Sequence, residues 1–212
     1  MLTVKFNKKG PYAYSAHLDL LRSLIRGIRR SDIPASYSTG FNPHMNIFLT
    51  PPMPIGIESE AEYMTVDAGL TPEEFIERFN RFVPSCISAA AAYRVSKNPN
   101  LAAVISSAQY SLSGITQSAL KKHIACGITV SKFKDGQEIV RDAAPDVLGV
   151  INGKTPSVLL SFGNKRNLRI DLFINALENL SGKKITAVKT AAFVNDINVD
   201  DYLKQPNLCI VP

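Results

Sequence analysis

Cysteine is scarce and scattered. Cys86, Cys126 and Cys209 stand far apart, with no CxxC or comparable spacing between them. That excludes a zinc or iron–sulfur site built from cysteine pairs within this chain. An odd number at irregular spacing argues against a disulfide framework, so the expected compartment is the reducing cytoplasm and the thiols are expected to be buried or half-buried. Long apolar runs are absent too: each is broken by Lys, Ser or Gly, and no membrane span or membrane partner is predicted. The opening MLTVKFNKKG lacks the basic-then-apolar layout of a secretory signal and reads as a strand. There is no Walker A loop and no dinucleotide fingerprint. GxSxG, zincin and zinc-deaminase signatures are missing as well. Neither a cofactor nor a metal site is predicted.

What is present suits one large domain or two small ones. The 212 residues are 45% hydrophobic, enough for a proper core. Net charge is +6 and the isoelectric point is near 9.2. This mild basic bias fits a polyanionic partner and fits an ordinary soluble protein equally.

Leu2–Phe6 alternates like a strand and ends in the turn signal NKKGPY. Ser15 is placed to cap a helix in which Leu18, Leu21, Ile25 and Ile28 recur at helical spacing, ending near Ser31 before Pro34. ASYS and EYMTVDA read as strands. Thr71, Pro72 and Glu74 make a capping box that opens a helix with Phe75, Ile76, Phe79 and Phe82 on its apolar face. CISAAAAYRV closes this half as a strand. The order strand, helix, strand, strand, helix, strand is the ferredoxin-like plan. The second half repeats it less cleanly: a strand over Ala103–Leu112, a helix capped by Thr116, strands at GITVSKF and SVLLSFG, a helix at NLRIDLFINAL and a strand at KKITAVKTAAFV. An insertion, EIVRDAAPDVLGVINGK, reads as an extra hairpin. The predicted fold is therefore α+β, two tandem ferredoxin-like (βαββαβ) domains, 1–97 and 98–212, divided at SKNPN, with a C-terminal tail after Val194 that docks or frays.

Chemistry concentrates in one stretch, STGFNPHMNIFLTPPMPIGIESEAEY, from Ser38 to Tyr63. Gly40, Phe41, Asn42 and Pro43 force a turn that fixes where His44 points. His44 then serves a site or simply caps backbone. Glu58, Glu60 and Glu62 alternate, so an extended strand places them on one face, where cations or a metal would answer them. Just upstream, Arg22, Arg26, Arg29 and Arg30 gather on one face of the first helix and suit phosphate or carboxylate recognition, as against a solvated face paired with Asp19 and Asp32. Tyr37 and Phe41 could stack on a base. His17, at the helix start, is either structural or an acid–base group, and His123 is expected at the surface. In GNKRNLRID, Lys165, Arg166 and Arg169 stand at a helix start that could hold an anion, while Asn167 alone could cap it. Lys183, Lys184 and Lys189 are read as basic surface.

FNKKG, SAHLDLLRSLIRGIRRSDIPASYSTGFNPHMNI and PMPIGIESEAEY together resemble the radical-SAM-linked proteins of unknown function, with fainter likeness at VRDAAP and GNKRNLRID. In that family the domain extends a radical SAM protein or is encoded beside one. Met45 and Asn46 stand where the family commonly has proline and a basic residue, and Ile170 where it has proline. The resemblance implies a radical SAM partner. This chain has no CxxxCxxC cluster motif, so it would be the attached module that binds substrate, RNA or partner rather than the radical enzyme. The tandem plan is also similar to the RNA-binding folds of CRISPR repeat-processing proteins, a likeness of fold only. Two alternatives stand beside an RNA-binding module: a metal-independent ribonuclease using His17 and His44, which requires the two imidazoles to share a cleft, and a pure protein-interaction module.

Overall fold

A computed structural model describes residues 1–164 and 166–206. Lys165, Cys209 and the end of the predicted C-terminal tail lie outside the described residues. The fold is α+β, built on one large mixed sheet with few helices.

The first half runs β1 (Leu2–Lys8), a 3-10 turn (Gly10–Tyr14), α1 (His17–Arg30), β2 (Ile47–Leu49), β3 (Glu58–Val66), α2 (Pro72–Phe82) and β4 (Ala89–Arg94). After a short helical turn, α3 (Leu101–Val104), come β5 (Ser107–Ser113), α4 (Gln117–Ala125), β6 (Thr129–Lys134), β7 (Gln137–Asp142), β8 (Val147–Ile151), β9 (Ser157–Ser161), α5 (Ile170–Ser181), β10 (Thr186–Val194), β11 (Ile197–Asn198) and α6 (Val199–Tyr202). The nine-stranded sheet is ordered β4-β1-β3-β10-β5-β9-β8, with β2 also on β3 and β11 on β10. Neighbours are antiparallel except β3 and β10, which run parallel through Glu58–Val188 and Ser59–Lys189. That short parallel contact joins the strands of the two halves.

The local chemistry explains most elements. The capping box of α2 forms as expected: Glu74 N–H donates to Thr71 Oγ1 at 3.2 Å and Thr71 N–H donates to Glu74 Oε2 at 2.9 Å. Thr116 caps α4 by accepting from Ala119 N–H. One core packs Leu2, Val4, Phe6, Leu24, Phe75 and Phe79. The other packs Tyr110, Leu112, Phe173 and Leu177, and takes in Ala61 and Tyr63 of β3.

Several expectations differ from the structure. ASYS is not a strand: Tyr37 bridges Met45 and Ala35 bridges Ala68 singly, because the chain here folds back on itself, and the sheet strand is β2 further on. Ser15 does not cap α1. Its hydroxyl donates to Tyr12 O at 2.7 Å and closes the 3-10 turn, leaving Ala16 as the cap. The buried stripe of α1 is Leu20, Leu24, Gly27 and Ile28, while Leu18 is 62% exposed. The start of the predicted 103–112 strand is the turn α3. GITVSKF leaves the main sheet and pairs with Gln137–Asp142 as a separate hairpin, so β8, inside the predicted insertion, supplies the sheet strand. Asn167 does not cap α5: Arg169 is the cap residue, with no side-chain cap bond.

Gly114 shows what the fold demands of one turn. It has φ +93°, and a Cβ there would lie 2.1 Å from Lys184 O. Gly114→Ala is expected to destabilise by about 2 kcal/mol or more through strain and clash together, read as a lower midpoint in urea unfolding.

Candidate functional site

The four arginines of α1 occupy about 100° of the helix circumference at the 3.6-residue period, and all four are exposed. They are not equivalent. Arg22 pairs with Asp19 at 2.9 Å. Arg29 Nε donates to Tyr37 Oη at 3.2 Å, and its guanidinium lies over the Tyr37 ring 5.9 Å from the centroid. Arg26 and Arg30 make no hydrogen bond or ion pair with a described residue, and both border a small groove between α1 and the end of α2.

The Gly40–His44 turn is tied to this face through Arg29, whose partner Tyr37 bridges Met45 at the base of the turn. Ser38 N–H donates to His44 O at 2.8 Å, His44 N–H to Ser38 Oγ at 2.9 Å, and Asn46 N–H to Ser36 O at 2.9 Å. Met45 is buried in the first core and anchors the turn. Gly40 takes φ +129°, a value that favours glycine. The product is a closed finger whose tip, Gly40 through His44, is exposed, with the Phe41 ring wholly in solvent.

The two histidines do not meet there. His17 is half-buried and lines a cleft of about 310 Å³ with Leu21, Phe48, Thr50 and Tyr63. His44 is exposed and is not on that cleft's wall. His123 is half-buried, Cys86 is half-buried, and Cys126 is exposed.

The glutamates of β3 separate. Phe6 is opposite Glu62 and Lys8 is opposite Ser59, so β3 carries one extra residue in this interval, a bulge that reverses its alternation. Glu62 and Ser59 therefore share a face, and Glu58 points to the other. Each glutamate has its own partner. Glu58 accepts from Gly10 N–H at 2.8 Å, Glu60 pairs with Lys9 at 2.7 Å, and Glu62 is buried against Lys189. Among the described residues no three His, Cys, Asp or Glu side chains gather as a metal site.

This seam between the halves is the feature sequence reasoning missed. Lys189, expected at the surface, is fully buried. Its signal was there: a lone charge inside the apolar run ITAVKTAAFV. Register places Lys8, Ser59, Lys189 and Tyr110 in one row across four strands. Thr50 Oγ1 donates to Glu62 Oε2 at 3.3 Å, and Lys189 Nζ sits 4.9 Å from the Phe162 ring centroid. Burial pushes the Lys8 ammonium below its ordinary value; Glu62 opposes this and Lys189 adds to it. Burial, then Glu62, pushes the Tyr110 phenol up. Beside the row, the PPMPI segment faces Asn167–Ile170 across a cleft of about 340 Å³. Arg169 stands on its wall, paired with Asp171 at 3.1 and 2.5 Å.

The motifs VRDAAP and GNKRNLRID also converge. Asp146, buried, accepts from Arg141 at 2.6 Å and Arg166 at 2.5 Å, and Arg141 donates to Asn167 O at 3.0 Å. Burial would raise the Asp146 carboxyl, but the Arg166 and Arg141 bonds outweigh it and hold the group below the usual carboxylate range. A lowered folded value means that the stabilisation is full above the unfolded value, about 3.9, and is lost as pH falls through the folded one. Asp146→Asn should therefore cost about 1–3 kcal/mol at neutral pH and narrow its gap to the parent as the medium is acidified, checked by urea unfolding at stepped pH.

The geometry thus defines an α+β protein with a solvent-facing arginine helix, an aromatic finger and a charged seam. The chain belongs to DUF2344, a family described as an uncharacterized protein conserved in bacteria, which matches residues 1–149. No curated protein matches the chain. No helix among the described residues is long and apolar enough to cross a membrane.

Proposed function

We propose that this protein is a non-catalytic module that binds RNA, or a comparable polyanionic substrate, for a radical SAM protein in RNA or ribosome-related modification. The observation that carries the binding half is the pair Arg26 and Arg30, exposed and without a hydrogen-bond or ion-pair partner among the described residues, on the same helix face as Arg29, which holds Tyr37 at the base of a finger that presents Phe41 to solvent. Guanidiniums grip phosphates, and a free ring gives an unpaired base a stacking platform. Arg22, Arg29 and Tyr37 extend the same surface. The radical SAM partner rests on the motif resemblance and on the absence of a cluster-binding cysteine motif in this chain.

We also infer two ferredoxin-like units, 1–97 and 98–212. In support, β4-β1-β3-β2 and β10-β5-β9-β8 follow the same strand order, every neighbour within each set is antiparallel, and a helix follows the first and third strand of each set in chain order. The β6–β7 hairpin is then an insertion in the second unit.

The test is binding of total cellular RNA to the purified protein across a salt series. Affinity that falls steeply with salt is the expected result. No binding at low salt overturns the RNA reading and leaves the protein-interaction module, to be pursued by capture of the radical SAM chain.

A further inference from the structure

The cleft of about 310 Å³ beside His17 has no part in the arginine surface described above. It is lined from α1 by His17 and Leu21, by all three residues of β2, and by the segment that runs from Asn98 to Ala102. Its buried hydroxyls are committed elsewhere. Thr50 donates to Glu62 at 3.3 Å, the Tyr63 hydroxyl donates to Asp200 at 3.0 Å, and Thr65 is bonded to Thr3 at 3.0 Å. The half-buried His17 imidazole has no hydrogen bond or ion pair with a described residue. Of the two linker carboxamides, only Asn98 Oδ1 is engaged, accepting from Asn100 N–H at 2.9 Å. Asn98 therefore keeps both amide donors and Asn100 a whole carboxamide, and a neutral imidazole adds one donor and one acceptor.

Among the described residues the lining holds no Asp, Glu, Lys or Arg, and its remaining side chains are apolar, including Phe48, 46% exposed. A charged ligand finds no countercharge here. A flat, neutral ligand with mixed donors and acceptors finds an aromatic wall and groups that answer it. A nucleobase has that chemistry, and carboxamides read base edges. The volume lies at the small end of the range of about 300–1,000 Å³ for ligand sites, which suits a single base. β2 has β3 as its one sheet partner among the described residues. An open edge also invites a peptide strand, but three residues offer that strand too short a ladder. The cleft is also on a useful side of α1. At 3.6 residues per turn Leu21 lies about 40° round the helix from His17, and Arg29 and Arg22 follow about 80–100° beyond Leu21. A strand held by its phosphates on the arginines has this cleft at its side.

We propose that the cleft is a nucleobase pocket, filled by one unpaired base of an RNA strand whose phosphates α1 holds, with His17, Asn98 and Asn100 bonding the base edge. The strand rests on the RNA reading above; the chemistry of the pocket does not.

The experiment uses the full chain, octauridylate and its three variants with a single central A, C or G, and the four free nucleosides. Anisotropy titration should separate the best from the worst oligomer by about tenfold or more. Asn100→Gly keeps the left-handed backbone at φ +49° and removes the carboxamide, and Ala102→Leu fills the cleft. Each should shrink the preference to about threefold or less without changing the salt slope, whereas Arg26→Ala/Arg30→Ala should weaken all four oligomers by a common factor. The favoured nucleoside should move the His17 imidazole NMR signals saturably in the parent and not in Ala102→Leu. Equal binding of the oligomers with no nucleoside shift overturns the pocket and leaves the RNA reading standing. A preference that survives both variants overturns it too and assigns base reading elsewhere. If no oligomer binds at low salt the RNA reading fails, and the nucleosides alone decide the pocket: a saturable His17 shift supports it, and its absence overturns it.

Discussion

Arg26→Ala/Arg30→Ala should weaken RNA binding at least tenfold near physiological salt and leave the unfolding midpoint within error of the parent. The two effects separate because these side chains touch nothing they would strand: neither has a partner among the described residues, and both are exposed. Exposed substitutions of this kind shift stability by about 0.5 kcal/mol or less. Each lost phosphate contact lowers the slope of log affinity against log salt by about 0.7 for a single strand, so the pair should flatten it by about 1.4. Arg22→Ala is expected to act more weakly, since Asp19 already holds that guanidinium. Phe41→Ala should weaken binding by about 1–3 kcal/mol without altering the salt slope, because stacking releases no counterions. Loss of affinity with an unchanged slope in the arginine pair would mean that the guanidiniums do not meet phosphates.

The arginine face was legible because helical spacing needs no tertiary knowledge: four residues within nine positions fall on one arc whatever the helix packs against. The capping box of α2 was legible for the same reason, since Thr71 and Glu74 satisfy each other locally. The buried stripe of α1 was not. Leu18 and Leu20 are equally apolar in the sequence, and only the position of β1 and β3 decides which of them the core receives. Strand identity in the second half failed similarly. Thr129–Lys134 and Val147–Ile151 are both short runs rich in strand-forming residues, and β8 is the one that pairs with β9. The split of Glu58 from Glu62 depended on a single extra residue in β3, and no composition announces a bulge. Lys189 and Lys8 gather because β3 and β10 run side by side, a pairing between segments more than a hundred residues apart.

That seam gives the second large effect. Glu62→Gln should cost about 3–5 kcal/mol, the usual result of breaking a buried ion pair from one side, and with a native margin of about 5–15 kcal/mol it brings the protein close to unfolding. The size follows from what remains: Lys189 fully buried, Lys8 nearly so, and no carboxylate between them. Glu62→Leu/Lys189→Met should recover most of the loss, since pairs removed together are often neutral or better. Lys8 gives the pH signature. Its folded value is lowered, so between that value and the unfolded value of about 10.4 the unfolded chain binds more protons and stability rises with pH. The rise should be visible below about pH 10, before unfolded tyrosines ionise and oppose it through the raised Tyr63, Tyr93 and Tyr110. Lys8→Met should flatten it. Urea midpoints of the parent and Lys8→Met at stepped alkaline pH decide the matter: parallel curves would mean that the Lys8 ammonium is as well solvated in the fold as outside it, and the charge imbalance at the seam would then be nominal.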